Sequence, residues 1–291
     1  MQAIPDYITQ GFRESKVRLA HQLSNLTSTE VTTNVRENLV RNPNSILYLM
    51  HKLLDEAKKS GEQSGTLRIV SPYLFSGKYY DKEGNVTYDG AQETLDYLKD
   101  NPDVRIEIIT NSVMTSDNFF TQAIIDMDMA PRLLLDSEHK TAWQSSLEES
   151  EMNPELVDSE AWQKLVNHPQ LSIYETGRLD DAYLGGDRHY GKLHSKYLFG
   201  DQVGFIGTAN FDYRSRLFNN EMGFFFSSPG LRQDLIADFE LLKSQSYLWG
   251  SPEWLEMRRQ LMDTGGAKAK ATRNQRRIFR TLRDTGLEYQ F

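Results

Sequence analysis

Three apolar runs constrain this chain more than any other feature: TLRIVSPYLF at 66–75, VRIEIITNS at 104–112 and QLSIYET at 170–176. Each is rich in β-branched residues and has the length of a strand rather than a helix. The first ends at Ser71-Pro72, because proline brings no donor to a strand ladder. Between the first two runs lies YDGAQETLDYLKDNPD, which has helical apolar spacing and Asp89 placed to cap it. Strand, helix, strand at this spacing predicts a βαβ unit. The expected fold class is therefore α/β: a mixed, largely parallel β-sheet flanked by helices on both faces.

The rest of the chain divides around that unit. Residues 1–62 are expected to form a helical N-terminal segment, because SILYLMHKLLDEAKKS (45–60) carries a helical apolar stripe with Ser45 as a cap and Gly61 as a stop. Residues 63–250 form the main unit, with a long helical insertion and an acidic loop at about 118–168. KLHSKYLFGDQVGFIGTANF (192–211) predicts two strands turning near Gly200-Asp201, NEMGFFFSS another strand, and GLRQDLIADFELLKSQ a helix. Residues 251–291 read as a helical, basic tail, in which TGGAKAKATRNQ is a flexible linker and 275–286 a short amphipathic helix. No repeat of fixed period is present.

Composition excludes several chemistries. The 291 residues include no cysteine, so disulfides, thiolate catalysis and cysteine-bound zinc are ruled out. Mean hydropathy is −0.59, and no apolar run approaches the ~20 residues that cross a bilayer. The first residues lack the charged, apolar, small-residue order of a signal peptide. The expected location is cytoplasmic or peripheral to a membrane. Net charge is −8, which sets nucleic acid behind other partners. Residues 148–160 are acidic, whereas 268–283 hold Lys268, Lys270, Arg273, Arg276, Arg277, Arg280 and Arg283 without a carboxylate. Such a run is either a solvated tail helix or a surface for peripheral contact with an anionic membrane.

One cluster carries chemistry. His194 and Lys196 stand two apart on an expected strand, so both side chains leave one face. Histidine exchanges protons near neutrality, and lysine is a fixed cation for a phosphate oxygen. Asn210 and Ser215 are short donors for phosphoryl oxygens, and Glu221 is a carboxylate able to orient His194. Because lysine supplies the positive charge, the set calls for no metal and no cofactor.

HSKYLFGD followed by GTANFDYRS and NNE resembles the phospholipase D superfamily and its His-x-Lys-x4-Asp phrase. The resemblance spans about 66–227 and is closest to the C-terminal half of cardiolipin synthase and phosphatidyltransferase members. It implies a metal-independent phosphohistidine mechanism in which His194 is the general acid and base, Lys196 and Asn210 bind phosphate, and Ser215 and Glu221 support them. It also makes Asp201 a strand-end residue with a structural role, puts Thr208 where serine is common, and brings Asp117 and Asn118 toward the site. The interval from Asp201 to Gly207 is one residue shorter than the family pattern.

The family chemistry uses two such phrases. Histidine occurs at 21, 51, 139, 168, 189 and 194, and only His194 is followed two places later by lysine. His139 reads as surface and His189 as a loop residue near the motif. A double displacement needs a nucleophile and a proton donor on opposite sides of phosphorus. The second phrase is therefore expected from an N-terminal half or from a homodimer partner. The expected substrate is a phospholipid, with Arg214 and Arg216 flanking Ser215, and with Tyr73, Phe75, Phe119 and Phe120 as either an acyl channel or core. The alternatives are a nuclease of the same superfamily and an inert half acting as a binding module.

Overall fold

The computed structural model describes residues 15–22, 46, 48–50, 52, 65–74, 77–80, 83–145, 153–179, 192–217 and 219–287. Its strands are β1 (Lys16–Gln22), β2 (Gly65–Val70), β3 (Lys78–Tyr80), β4 (Val86–Asp89), β5 (Val104–Asn111), β6 (Leu171–Thr176), β7 (Tyr197–Phe199), β8 (Gly204–Gly207), β9 (Glu221–Ser227) and β10 (Ser246–Leu248). The helices begin with α1 (Gly90–Asp100) and α2 (Phe119–Ile124), which runs through a π turn (Ile125–Met129) into α3 (Ala130–Leu134). Then come α4 (Ser137–Ser145), α5 (Pro154–Val157), α6 (Glu160–Val166), α7 (Tyr213–Leu217), α8 (Pro229–Ser244), α9 (Pro252–Thr264), α10 (Gly266–Arg273) and α11 (Gln275–Asp284).

Eight strands form one sheet in the order β1-β9-β8-β7-β2-β5-β6-β10, and β3 and β4 pair apart from it. The fold is mixed α/β. Its parallel part is the predicted βαβ unit: β2 pairs β5, and β5 pairs β6, in parallel. The other neighbours in the sheet are antiparallel, and β7 and β8 are joined by a hairpin turn too short for a crossover helix. Successive residues of the central strands serve opposite faces. Ile69 and Ile108 belong to a large core with α1 to α4 and α9, while Val70 and Ile109 pack with Phe199, Phe226 and Phe239 beneath α8. Helices therefore cover both faces.

Local chemistry sets the helix ends. The Asp89 carboxylate accepts from Ala91 N and Gln92 N and starts α1, as its position predicts. Ser228 rather than Gly230 starts α8: its hydroxyl accepts from Leu231 N, with Pro229 in the first turn.

Three expectations change. Residues 16–22, within the segment expected to be helical, form an edge strand against β9. The alternating order of KVRLAHQ suits a pleat, and it buries Ala20 against Phe205 and Phe225 together with Ile46 and Leu49. Much of the predicted 45–60 helix, His51, Phe75, His189 and the acidic residues 148–151 lie outside the described residues. The expected linker at 264–275 is mostly α10. Its alanines and lysines are strong helix formers, and Ala269 and Ala271 are buried.

The basic tail is also not simply solvated. Trp254, Leu255, Leu261, Phe279 and Leu282 join the main core. The Arg276 guanidinium lies 4.5 Å from the Trp143 ring centre and donates to the Trp143 carbonyl at 2.8 Å. Trp143, Trp162, Trp249 and Trp254 form one nest with ring centroids 5.2–6.1 Å apart, which ties the 118–168 insertion to the C-terminal helices. Among the described residues, no helix is long and apolar enough to cross a membrane.

Candidate active site

Backbone replacement partners build the stretch that holds His194. β7 begins only at Tyr197, so residues 192–196 run on without a ladder of their own. Asn111, buried at the end of β5, supplies the missing bonds. Its Oδ1 accepts from Leu193 N at 3.2 Å, and its Nδ2 donates to Leu193 O and to Pro72 O, each at 3.1 Å. One side chain thus imitates a neighbouring strand and fixes the residue just before His194.

His194 and Lys196 differ sharply in environment. His194 is exposed, whereas Lys196 is 8% exposed. The Lys196 ammonium turns back and donates to the His194 carbonyl at 2.7 Å. Burial weighs most on its proton and leaves its pKa below the ordinary lysine value; the charges of Glu221, Asp212 and Asp117 oppose that shift in part. Three carboxylates are therefore close enough to act on this one ammonium.

Glu221 opens β9 and is 5% exposed. Its Oε2 accepts from the Thr208 hydroxyl at 2.5 Å, and its Oε1 from Asn219 Nδ2 at 3.2 Å. The Thr208 hydroxyl in turn accepts from Met222 N at 3.0 Å. No hydrogen bond joins Glu221 to the His194 ring among the described residues, so the expected orienting contact is not formed here.

Asn210, Asp212 and Ser215 form a self-supporting loop at the start of α7. Asp212 Oδ1 accepts from Ser215 N at 2.6 Å, and Asp212 Oδ2 accepts from Asn210 Nδ2 at 3.0 Å. The Ser215 hydroxyl accepts from Asn210 N at 3.1 Å. Asn210 Oδ1 is buried with no hydrogen-bond partner. That orphan acceptor is costly unless an incoming group supplies a donor. The loop is stapled to the SPYLF segment: Ser71 Oγ accepts from Phe211 N at 3.2 Å and donates to Tyr73 O at 2.7 Å. The Tyr73 hydroxyl donates to Asp117 at 2.8 Å, and burial with that carboxylate raises its pKa, so it remains a neutral donor.

The remaining site candidates separate. Asp117 faces the cluster, but Asn118 is occupied as the cap of α2, where its Oδ1 accepts from Phe120 N and Thr121 N. Asp201 lies at the opposite end of the β7–β8 hairpin. Gly207 N bonds Lys196 O at one end, while Gly200 N bonds Val203 O at the other, next to Asp201. Asp201 is exposed and pairs with Arg232 of α8 at 3.2 Å. Arg214 is exposed, and Phe120 is 51% exposed. His168 holds its own loop by accepting from Gln170 N. Sequence reasoning overlooked Asn111 and Asp212. The signal for Asp212 was present, because Asp-Tyr-Arg-Ser is the spacing of a helix cap. Among the described residues, no group of three or more His, Asp or Glu side chains is arranged to hold a metal.

A family model described as cardiolipin synthase, PLD-like domain, matches residues 66–243, more than half of the chain. The chain belongs to this family. The PLD-like match covers β2 through most of α8, and so includes every side chain of the cluster above. None of the curated proteins matches the chain. Among solved structures, a phosphatidylserine synthase from Haemophilus influenzae is similar at 14% identity with a TM-score of 0.46. That alignment covers 94% of this chain and 47% of the synthase, so the chain spans about half its length. NucT from Helicobacter pylori is similar at 12% identity with a TM-score of 0.38, covering 81% of this chain and 99% of NucT. The phospholipase D family member Nuc from Salmonella typhimurium is similar at 12% identity with a TM-score of 0.37, covering 82% of this chain and 100% of Nuc.

Proposed function

We propose that this PLD-like chain provides one catalytic half of a phosphodiester-cleaving or phosphatidyl-transferring enzyme acting on phospholipids. The observation that carries the reading is the contrast at the motif: an exposed imidazole at His194 beside a Lys196 ammonium that is 8% exposed and acted on by three carboxylates. A desolvated cation grips a phosphate oxygen far more strongly than a cation in water.

In this reading a histidine from a second half attacks phosphorus. A P–N bond forms, the P–O bond to the leaving alcohol breaks, and His194 gives that oxygen its proton. His194 then takes a proton from water or an acceptor alcohol, whose oxygen attacks phosphorus as the P–N bond breaks. Lys196 and Asn210 hold the phosphoryl oxygens through both steps, and Thr208, Ser215 and Glu221 keep the surrounding loops in place. The second histidine comes from an N-terminal half or from another copy of this chain. The net charge of −8 and the carboxylates around Lys196 favour a lipid phosphodiester over a nucleic-acid polyanion. Lys270, Arg277 and Arg280 remain exposed on α10 and α11 and would meet an anionic membrane surface.

The test is turnover of phosphatidylglycerol in mixed micelles across a range of protein concentrations, comparing the natural chain with His194→Ala. His194→Ala should abolish turnover with its circular dichroism unchanged. Turnover by that variant at the natural rate rules out the site.

A further inference from the structure

The three carboxylates that act on the Lys196 ammonium are not alike. Glu221 and Asp212 are 5% and 3% exposed, and each has both oxygens engaged. Glu221 accepts from Thr208 and Asn219, and Asp212 from Ser215 N and Asn210 Nδ2. Asp117 differs on both counts. It is exposed, and only its Oδ1 is taken, by the Tyr73 hydroxyl at 2.8 Å. No hydrogen bond engages its Oδ2 among the described residues.

An exposed side chain is ordinarily free to move, yet Asp117 is held from two directions. Its backbone lies between Ser116 and Asn118, which are locked together. The Ser116 hydroxyl donates to Asn118 O at 3.0 Å and accepts from Asn118 N at 3.2 Å. Ser116 N in turn donates to Ser112 O at 2.9 Å, within a buried turn. Its side chain is held by Tyr73, and Tyr73 belongs to the segment that joins the two parts of the site. Ser71 Oγ binds both Tyr73 O and Phe211 N, next to Asn210. Pro72 O and Leu193 O share one donor, Asn111 Nδ2, each at 3.1 Å. Tyr73 therefore delivers Asp117 to the junction of the Asn210 loop and the His194 stretch. Ordering a surface carboxylate costs side-chain freedom, and an exposed contact returns little stability for it.

We infer that Asp117 is a specificity-determining residue, whose free oxygen accepts a hydrogen bond from a hydroxyl or a primary ammonium on the lipid head group. The inference rests on the reading of Lys196 as the phosphate grip. A carboxylate repels a phosphate, so Asp117 suits only a substrate that brings a donor close beyond the ester oxygen. A head group without a donor leaves the two anions facing each other uncompensated, which selects against it. The two donors differ in what they ask of Asp117. An amide oxygen can accept from a hydroxyl, whereas an ammonium draws its strength from the full negative charge.

The test is binding of dibutanoyl phosphatidylglycerol, phosphatidylethanolamine and phosphatidylmethanol as soluble monomers, followed by ligand-observed NMR. These lipids differ only in the head group. The full chain carries His194→Ala, so that turnover does not consume the ligand. Phosphatidylglycerol or phosphatidylethanolamine should bind about tenfold more tightly than phosphatidylmethanol, the worth of one hydrogen bond to a charged group. Adding Asp117→Ala should bring that ratio close to one. Asp117 is exposed, so the change leaves the core intact. A merely structural Asp117 would lower all three affinities in proportion and leave the ratio where it was. With Asp117→Asn, a preference that survives assigns a hydroxyl, and one that disappears assigns an ammonium. Adding Lys196→Met instead should weaken all three lipids alike, which separates a failed phosphate grip from a failed head-group contact. Equal binding of the three lipids, no binding of any, or a ratio unchanged by Asp117→Ala overturns the inference.

Discussion

Replacing Lys196 by methionine separates grip from fold. The substitution keeps the length of the side chain and removes the ammonium. A hydrogen bond to a charged group contributes about 1.5–3 kcal/mol. A phosphate charge about 4 Å away, at an effective dielectric constant of ~20, gives about 4 kcal/mol. The dissociation constant for tungstate, as a phosphate analogue, should therefore rise by about 10- to 1,000-fold. Stability should move far less. Methionine leaves the His194 carbonyl without its 2.7 Å donor, but it also removes a desolvated charge. The nearby carboxylates keep their own partners: Glu221 keeps Thr208 and Asn219, Asp212 keeps Asn210 and Ser215, and Asp117 keeps Tyr73. A net change within about 1 kcal/mol, or ~2–4 °C in Tm, is expected. Tungstate affinity is read by calorimetry and Tm by scanning fluorimetry. Affinity within threefold of the parent, or a collapse in Tm that accounts for the lost binding, refutes the reasoning.

Two further outcomes follow from the same geometry. Because burial lowers the pKa of Lys196, turnover should fall on the alkaline side before the ordinary lysine value of about 10.4, and a pH–rate profile that is flat to that value contradicts this. The folded chain favours the neutral amine more than the unfolded chain does. Stability from this group therefore rises with pH between the lowered folded value and the unfolded one, and Lys196→Met should erase that rise. A second change acts through packing. A Cβ on Gly223 would sit 2.5 Å from Phe205 Cζ and 2.6 Å from Ile206 O, so Gly223→Ala must push β8 from β9. A loss of about 1–3 kcal/mol is expected, with turnover falling because Thr208 directly follows β8 and bonds Glu221 at the start of β9; a Tm equal to that of the parent is the contrary result.

What the sequence made legible follows from the range of the forces involved. β2, β5, β6 and α1 were readable because each carries its own signal, an apolar run or a cap such as Asp89. β1 was not, since KVRLAHQ is amphiphilic and becomes a strand only by pairing with β9, two hundred residues later in the chain. In the antiparallel half, the β7–β8 hairpin and β9 were readable as strands, but the pairing of β7 with β2 and of β9 with β1 was not, for the same reason. Within the site, His194, Lys196, Asn210, Ser215 and Glu221 could be picked out as reactive or polar types at close spacing. Asn111 could not, because its work is to bond the backbone of Leu193 across a separation of 82 residues. Asn118 shows the converse: a polar residue beside the site whose acceptor a helix terminus had already claimed.

The same distinction explains why the C-terminal helices matter to a site they do not touch. Asp117 is followed directly by the cap of α2, so its position depends on how α2 is held. Gln122 of α2 donates to Asp126 at 3.0 Å and to Glu175 of β6 at 3.1 Å. Both carboxylates are fully buried, and burial together with the neighbouring Asp126 pushes Glu175 well above the usual carboxylate range. They are tolerated because partners arrive from beyond the family match: Trp254 Nε1 donates to Glu175 at 2.7 Å, Arg258 to Asp126 at 3.0 Å, and Gln275 to Asp126 at 2.6 Å. Removing one side of such a network leaves a buried charge without a partner, a far larger penalty than the loss of one surface contact. The basic C-terminal region is thus an integral wall of the fold, and through α2 it sets where Asp117 stands with respect to Tyr73 and Lys196.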